Sequence, residues 1–123
     1  MKILIVDDSK TARIMLKNSI PPEIVAESEI TTKDNGQEGL DAYLNERQDI
    51  VFLDLTMPVM DGYECLEKIM AHDQNAVVII VSADIQQAAK EKVLAKEAKI
   101  MVRKPVNATT VRAIFDDFVP KAG

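Results

Sequence analysis

Five polar side chains stand where the sequence would otherwise be apolar. Asp7 and Asp8 follow the run "ILIV", Asp54 follows "IVFL", Ser82 follows "AVVIIV", and Lys104 comes two residues after "IMV" and directly before Pro105. An ionised carboxylate buried without a partner costs several kcal/mol or shifts its pKa until it neutralises. Three carboxylates in one crevice repel, and the remedies are to protonate one or to bind a cation. Oxygen-only ligands with open positions suit Mg2+, which takes one or two carboxylates and substrate phosphate oxygens while keeping several waters; Mn2+ is the alternative ion. A lysine supplies a point charge for a phosphoryl oxygen, and a serine hydroxyl can donate a hydrogen bond to another. Together these groups describe transfer of a phosphoryl group onto Asp54 to give an acyl phosphate, with catalysis mostly by positioning and charge stabilisation.

That chemistry requires elements that bring the five residues together. The four apolar runs, at 3–6, 50–53, 76–81 and 100–102, are rich in Ile and Val and scarcely alternate, as strands covered on both faces of a parallel sheet do. A weaker strand is predicted over 28–32, before the turn signal "DNG" at 34–36. Helix-period stretches lie between the strands. Thr11 to Ile20 is stopped by Pro21-Pro22, and Gln37 to Asn45, Gly62 to His72, Gln86 to Ala95 and Ala108 to Val119 complete the set. Ile69, Val93, Leu94, Ile114 and Phe118 are the expected core-facing positions. Strand and helix thus alternate five times, which predicts an α/β fold: an open, doubly wound parallel five-stranded sheet with helices on both faces. In such a sheet the carboxyl ends of the strands share one edge, where ligands bind at the crevice in which strand order reverses.

Each residue alone has a plainer reading. Asp7, Asp8 and Ser9 could cap the first helix, Asp54 and Ser82 could open loops, and Lys104 could be a solvated charge. Their joint placement on four strand ends of one edge favours the common site.

The motifs that carry these residues resemble the receiver domain of two-component response regulators, in its stand-alone, chemotaxis-regulator-like form. "ILIVDDS" resembles the family's acidic pair, "DIVFLDLTMPVMDG" its phosphorylation strand and following loop, "VIIVSA" its hydroxyl strand and "MVRKP" its lysine turn. The resemblance covers about residues 2–119. It implies a flavodoxin-like sheet with strand order 2-1-3-4-5, an order that is a standard example for this family. It also implies that Asp54 accepts phosphate from a sensor histidine kinase or a small phosphodonor. Asp8 would ligate Mg2+ directly, Asp7 would assist through water, and the Thr56 carbonyl would add a ligand. Ser82 and Lys104 would bind the phosphoryl oxygens, the Lys104-Pro105 bond would be cis, and Pro58 and Gly62 would shape the loop after Asp54. Thr56 and Asp84, two positions after Asp54 and Ser82, would tune the lifetime of the phosphorylated state, although Asp84 also suits a helix start. A downstream protein would meet the face made by the fourth helix, fifth strand and fifth helix.

Three positions depart from the family pattern. Met101 stands where an aromatic switch residue is usual, Ala98-Lys99 replaces a frequent Gly-Ala, and Val106 replaces a common aromatic. They leave phosphorylation intact and put the usual readout in question, since Met101 could equally be a gap filler.

Other function classes fit less well. An aspartyl-phosphate phosphatase wants a second carboxylate two residues after its nucleophile, where Thr56 stands; a flavodoxin wants a Ser/Thr/Gly-rich loop where Asp7-Asp8 would repel phosphate. The protein is expected to be no enzyme beyond its own phosphorylation and dephosphorylation, with a phosphorelay intermediate or phosphate sink as the nearest variant. The 123 residues suggest one domain over 1–123 without an output domain, so the protein would act by binding a partner or relaying phosphate. Fifteen Lys and Arg against 20 Asp and Glu disfavour nucleic acid and anionic membrane as partners. No apolar run approaches the roughly 20 residues of a membrane span, and "ILIV" is cut short by Asp7-Asp8, so a cytoplasmic protein without a targeting segment is expected. The single Cys65 reads as a small hydrophobe, His72 as a helix-terminal charge, and Lys90, Lys92, Lys96 and Lys99 as a solvated face.

Overall fold

In the computed structural model, which describes residues 1–119, the chain forms β1 (Lys2–Val6), α1 (Lys10–Ser19), α2 (Pro22–Ala26), β2 (Glu29–Lys33), α3 (Gly36–Asn45), β3 (Ile50–Leu53), α4 (Gly62–His72), β4 (Val78–Ser82), α5 (Gln87–Ala95), β5 (Ile100–Arg103) and α6 (Ala108–Phe118). The part of the expected 1–123 domain beyond residue 119 lies outside the described residues. The five strands are all parallel, in the order β2-β1-β3-β4-β5. This is the expected doubly wound α/β sheet.

Both faces of the central strands are covered, which is why residues 3–6, 50–53 and 78–81 are apolar at every position. Leu4, Val6, Val51, Leu53, Val78 and Ile80 pack with Leu40, Tyr43, Leu66, Ile69 and Val93 of α3, α4 and α5. Ile3, Ile5, Ile50, Phe52, Ile79 and Val81 pack on the opposite face with Leu16 and Ile20 near α1 and with Val111, Ile114 and Phe115 of α6. Full burial of each such side chain contributes about 1.5–3 kcal/mol, so the central strands β1, β3 and β4 anchor the molecule.

Four elements differ from the expectation. Pro21-Pro22 ends α1, yet Pro22 also opens the short helix α2, because a proline at the first helical position gives up only an N–H that has no helical partner. The second strand lies one residue later than predicted, at Glu29–Lys33. Leu94 is 40% exposed, and α5 buries Val93 alone, so it lacks a wide apolar stripe; Phe118, half-buried, packs against the core as expected. The basic face is partly engaged: Lys96 bonds Glu67 at 2.6 Å, and the Lys92 ammonium lies 4.1 Å from the centre of the Tyr63 ring.

Candidate functional site

The sheet register sets the site. Val6 of β1 pairs with Leu53 of β3, and the residues that follow extend the ladder: the Asp54 N–H donates to the Val6 carbonyl at 2.9 Å, and the Asp7 N–H to the Lys33 carbonyl at 3.0 Å. Asp7 and Asp54 therefore leave adjacent strands at the point where strand order reverses. On the other side, the Lys104 N–H donates to the Ser82 carbonyl at 2.9 Å, which ties the turn after β5 to the end of β4.

The side chains converge. Asp7, Asp8 and Asp54 place carboxylate oxygens within 4.8 Å of one another. The Lys104 ammonium lies 2.7 Å from an Asp7 oxygen and 3.4 Å from an Asp54 oxygen; the Asp7 and Asp54 side chains are 8% and 7% exposed and that of Lys104 22%. Burial pushes the Asp54 pKa up, and the Asp7 carboxylate adds to this, while Lys104 pulls it back. Burial works against the Lys104 charge, but Asp7 and Asp54 outweigh it and hold the ammonium above its usual range. Asp8 is exposed at the rim.

Local interactions aim these groups. Ser9 caps α1 by accepting from the Ala12 N–H, and its own N–H donates to the Asp7 carboxylate at 2.9 Å. An Arg13 guanidinium N–H donates to the Asp7 carbonyl at 2.7 Å. Nothing in the sequence marks Arg13 for this role, because an arginine one turn into a helix reads as surface charge. The Ser82 hydroxyl oxygen accepts from the Asp84 N–H at 3.1 Å, and an Asp84 carboxylate oxygen accepts from the Gln86 N–H at 3.1 Å. Asp84 thus closes a turn ahead of α5 and lies outside its first turn, exposed two residues from Ser82.

The loop from Asp54 to Gly62 is closed tightly. The Gly62 N–H donates to the Leu55 carbonyl at 2.9 Å, and a Cβ on Gly62 would lie 2.1 Å from the Asp54 carbonyl oxygen, so only glycine fits. Thr56 sits exposed in this loop. Met101 is half-buried against the core on the α5 side, and Val106 packs likewise on the α6 side. The Lys104-Pro105 bond is cis.

The remaining singletons stay outside the site. Cys65 is buried, and burial pushes its thiol up to about 12, aided by Asp61 and Glu64; it is inert as a nucleophile. His72 lies in the last turn of α4, edge-on to Tyr43 at 6.4 Å. Among the described residues, Asp7, Asp8 and Asp54 are the only group of three or more His, Cys, Asp or Glu that could hold a metal ion. Three hard oxygen donors facing one ammonium match an Mg2+-like ion in charge and in ligand type.

The chain is similar to known proteins along most of its length. Residues 3–116 match the family described as the response regulator receiver domain. The chain is 44% identical over 114 residues to the chemotaxis protein CheY of Listeria monocytogenes, covering 90% of this chain and 92% of that protein. It is 36% identical over 113 residues to CheY of Bacillus subtilis, covering 89% and 90%. A solved CheX-CheY-BeF3-Mg2+ complex from Borrelia burgdorferi contains a chain of the same fold, with TM-score 0.86 and 36% identity over 98% of this chain and 90% of that one. No described helix is long and apolar enough to cross a membrane.

Proposed function

Because the chain belongs to the response regulator receiver domain family, as a phosphoacceptor of the CheY type, we propose that Asp54 accepts a phosphoryl group in an Mg2+-dependent transfer from a sensor histidine kinase or a small phosphodonor. The observation that carries this reading is the Lys104 ammonium seated between the buried Asp7 and Asp54 carboxylates at the rim of the sheet. In the reaction an Asp54 oxygen attacks phosphorus, the bond from phosphorus to the donor breaks, and the donor leaves with the electron pair. Lys104 then exchanges carboxylate partners for a phosphoryl oxygen, and the Ser82 hydroxyl, whose oxygen already accepts from Asp84, is free to donate to another. Asp8, Asp54, the Thr56 carbonyl and, through water, Asp7 would hold Mg2+ or Mn2+; a bound divalent ion supplies charge stabilisation for the transferring group.

Phosphorylation then shifts an equilibrium between two surface conformations, which a downstream protein reads at the α5-β5-α6 face, the face expected from sequence once α2 is counted. The chemotaxis setting follows from the similarity to CheY proteins. We place the protein in the cytoplasm, with neither nucleic acid nor membrane as partner of its receiver domain. With Met101 in the aromatic switch position, readout runs through the Ser82 loop and the packing of Met101. The reading is tested by incubation with acetyl phosphate and Mg2+ followed by intact-mass measurement: one phosphoryl group is expected on the parent and none on Asp54→Asn. Modification of both, or of neither, would refute it.

A further inference from the structure

Gly36 opens α3, and a Cβ built there would lie 2.1 Å from the Met60 carbonyl oxygen and 2.9 Å from the Met60 carbonyl carbon. No side chain can be accommodated against backbone at that distance, so the contact exists only because residue 36 is glycine. Beside it the Gln37 N–H, one of the donors a helix start leaves without a helical partner, donates to the Val59 carbonyl at 3.2 Å. The Asn35 side chain accepts from the Glu38 N–H at 2.9 Å, so the first turn of α3 divides its donors between its own cap and the loop after β3.

The held segment is strained. Val59 has φ 51° and Met60 φ 76°, both left-handed and neither glycine. Residues in such conformations cost about 1–3 kcal/mol each and persist only where their surroundings over-determine them. The Val59 side chain is 67% exposed and gives little packing of its own, so the hold on it comes through the backbone. The loop is thus pinned at two places: at Gly62 onto Asp54 and Leu55, and at Val59–Met60 onto α3. Thr56 lies between Asp54 and the second pin.

We propose that Gly36 and Gln37 are positioning residues, a clamp by which the first turn of α3 fixes the Val59–Met60 segment and so sets the Thr56 carbonyl for the metal ion. The inference rests on the receiver reading given above. Gly36→Ala drives the Met60 carbonyl out of its seat and frees the strained segment to relax. Metal affinity then falls, while the transfer at saturating metal is retained, because Asp54, Ser82 and Lys104 stand on other supports.

The test titrates Mg2+ against the parent and Gly36→Ala with two readouts, the metal-induced rise in Tm and the half-saturating Mg2+ for phosphorylation by acetyl phosphate. The half-saturating concentration is expected to rise about tenfold, as when a support behind a metal ligand is lost. The saturating rate should stay within about twofold, the signature of lost binding alone. Should Gly36→Ala not fold, Gly36→Ala/Met60→Gly lets residue 60 turn its carbonyl away and restores folding, with the raised metal requirement retained. A folded variant with the parent's Mg2+ dependence in both readouts overturns the clamp, whatever its Tm. A parent that takes up no phosphoryl group at any Mg2+ concentration refutes the receiver reading itself, so the two failures are distinct.

Discussion

The Lys104 ammonium lies 2.7 Å from an Asp7 carboxylate oxygen, and this pair is the tightest ionic contact in the site. It compensates two buried carboxylates that would otherwise face each other. Removing one member of a closed ion pair costs about 3–5 kcal/mol; with Lys104 22% exposed, a loss of about 2 kcal/mol is expected for Lys104→Met in Mg2+-free buffer. Saturating Mg2+ replaces the missing charge and recovers most of that loss. Urea unfolding with and without Mg2+ reads both effects, and equal stability of parent and variant without metal would contradict the account.

At the opposite end of the sheet, Asp73, the residue that ends α4, gathers three hydrogen bonds. It accepts from the Tyr43 hydroxyl at 2.7 Å, from the Arg47 Nε at 2.9 Å and from the Asn75 N–H at 2.9 Å. The Tyr43 bond, helped by Asn75 and Arg47, holds its carboxyl below the ordinary value of 3.8 despite some burial. A carboxylate whose folded pKa is depressed contributes stability above its unfolded pKa and loses it as pH falls through the folded one. As pH falls below about 4, the parent should therefore lose more stability than Asp73→Asn. Parallel stability curves over that range would remove Asp73 from the acid response.

The helix α5 ends in a left-handed turn at Glu97, φ 72°, with the Glu97 N–H donating to Leu94 and the Ala98 N–H to Val93. This closing pair of bonds favours glycine at the left-handed position. Glu97→Gly should stabilise the protein by about 1 kcal/mol, the penalty of a Cβ in that region. A loss of stability on thermal or urea unfolding would show that the Glu97 side chain contributes more than its strain costs.

Asp84 is exposed two residues after Ser82, and its carboxylate accepts from the Gln86 N–H. If it orients the water that attacks the acyl phosphate, Asp84→Ala slows decay of the phosphorylated protein by about fivefold, the worth of one hydrogen bond. Asp84→Asn keeps an oxygen for the Gln86 N–H and isolates the effect of charge. Decay of Asp84→Ala at the parent's rate would leave Asp84 only its bond to the Gln86 N–H in the turn before α5.

The three strands buried on both faces, β1, β3 and β4, and the half-buried edge strand β5 are legible from Ile and Val runs without alternation, and the shared edge follows once those runs are taken as parallel. Asp7, Asp8 and Asp54 could then be placed together before any distance was known. Less was legible where a residue's meaning depends on what lies across the fold. Pro22 reads as a stop, although at the first position of α2 it is a start. Leu94 reads as core, but α5 turns it to solvent, and Lys96 reads as free, although Glu67 on α4 waits for it. Gly36 is part of an ordinary turn signal in sequence; only the approach of Met60 shows why its Cβ is excluded.

The central claim is that Asp54 is the phosphoacceptor. It is tested most directly by mapping the phosphoryl group after incubation with acetyl phosphate and Mg2+. The account predicts a single hydroxylamine-labile phosphoryl group on the peptide containing residue 54, absent when Mg2+ is chelated. A stable group on Ser82 or another residue, or labelling of residue 54 that persists without a divalent ion, would contradict it.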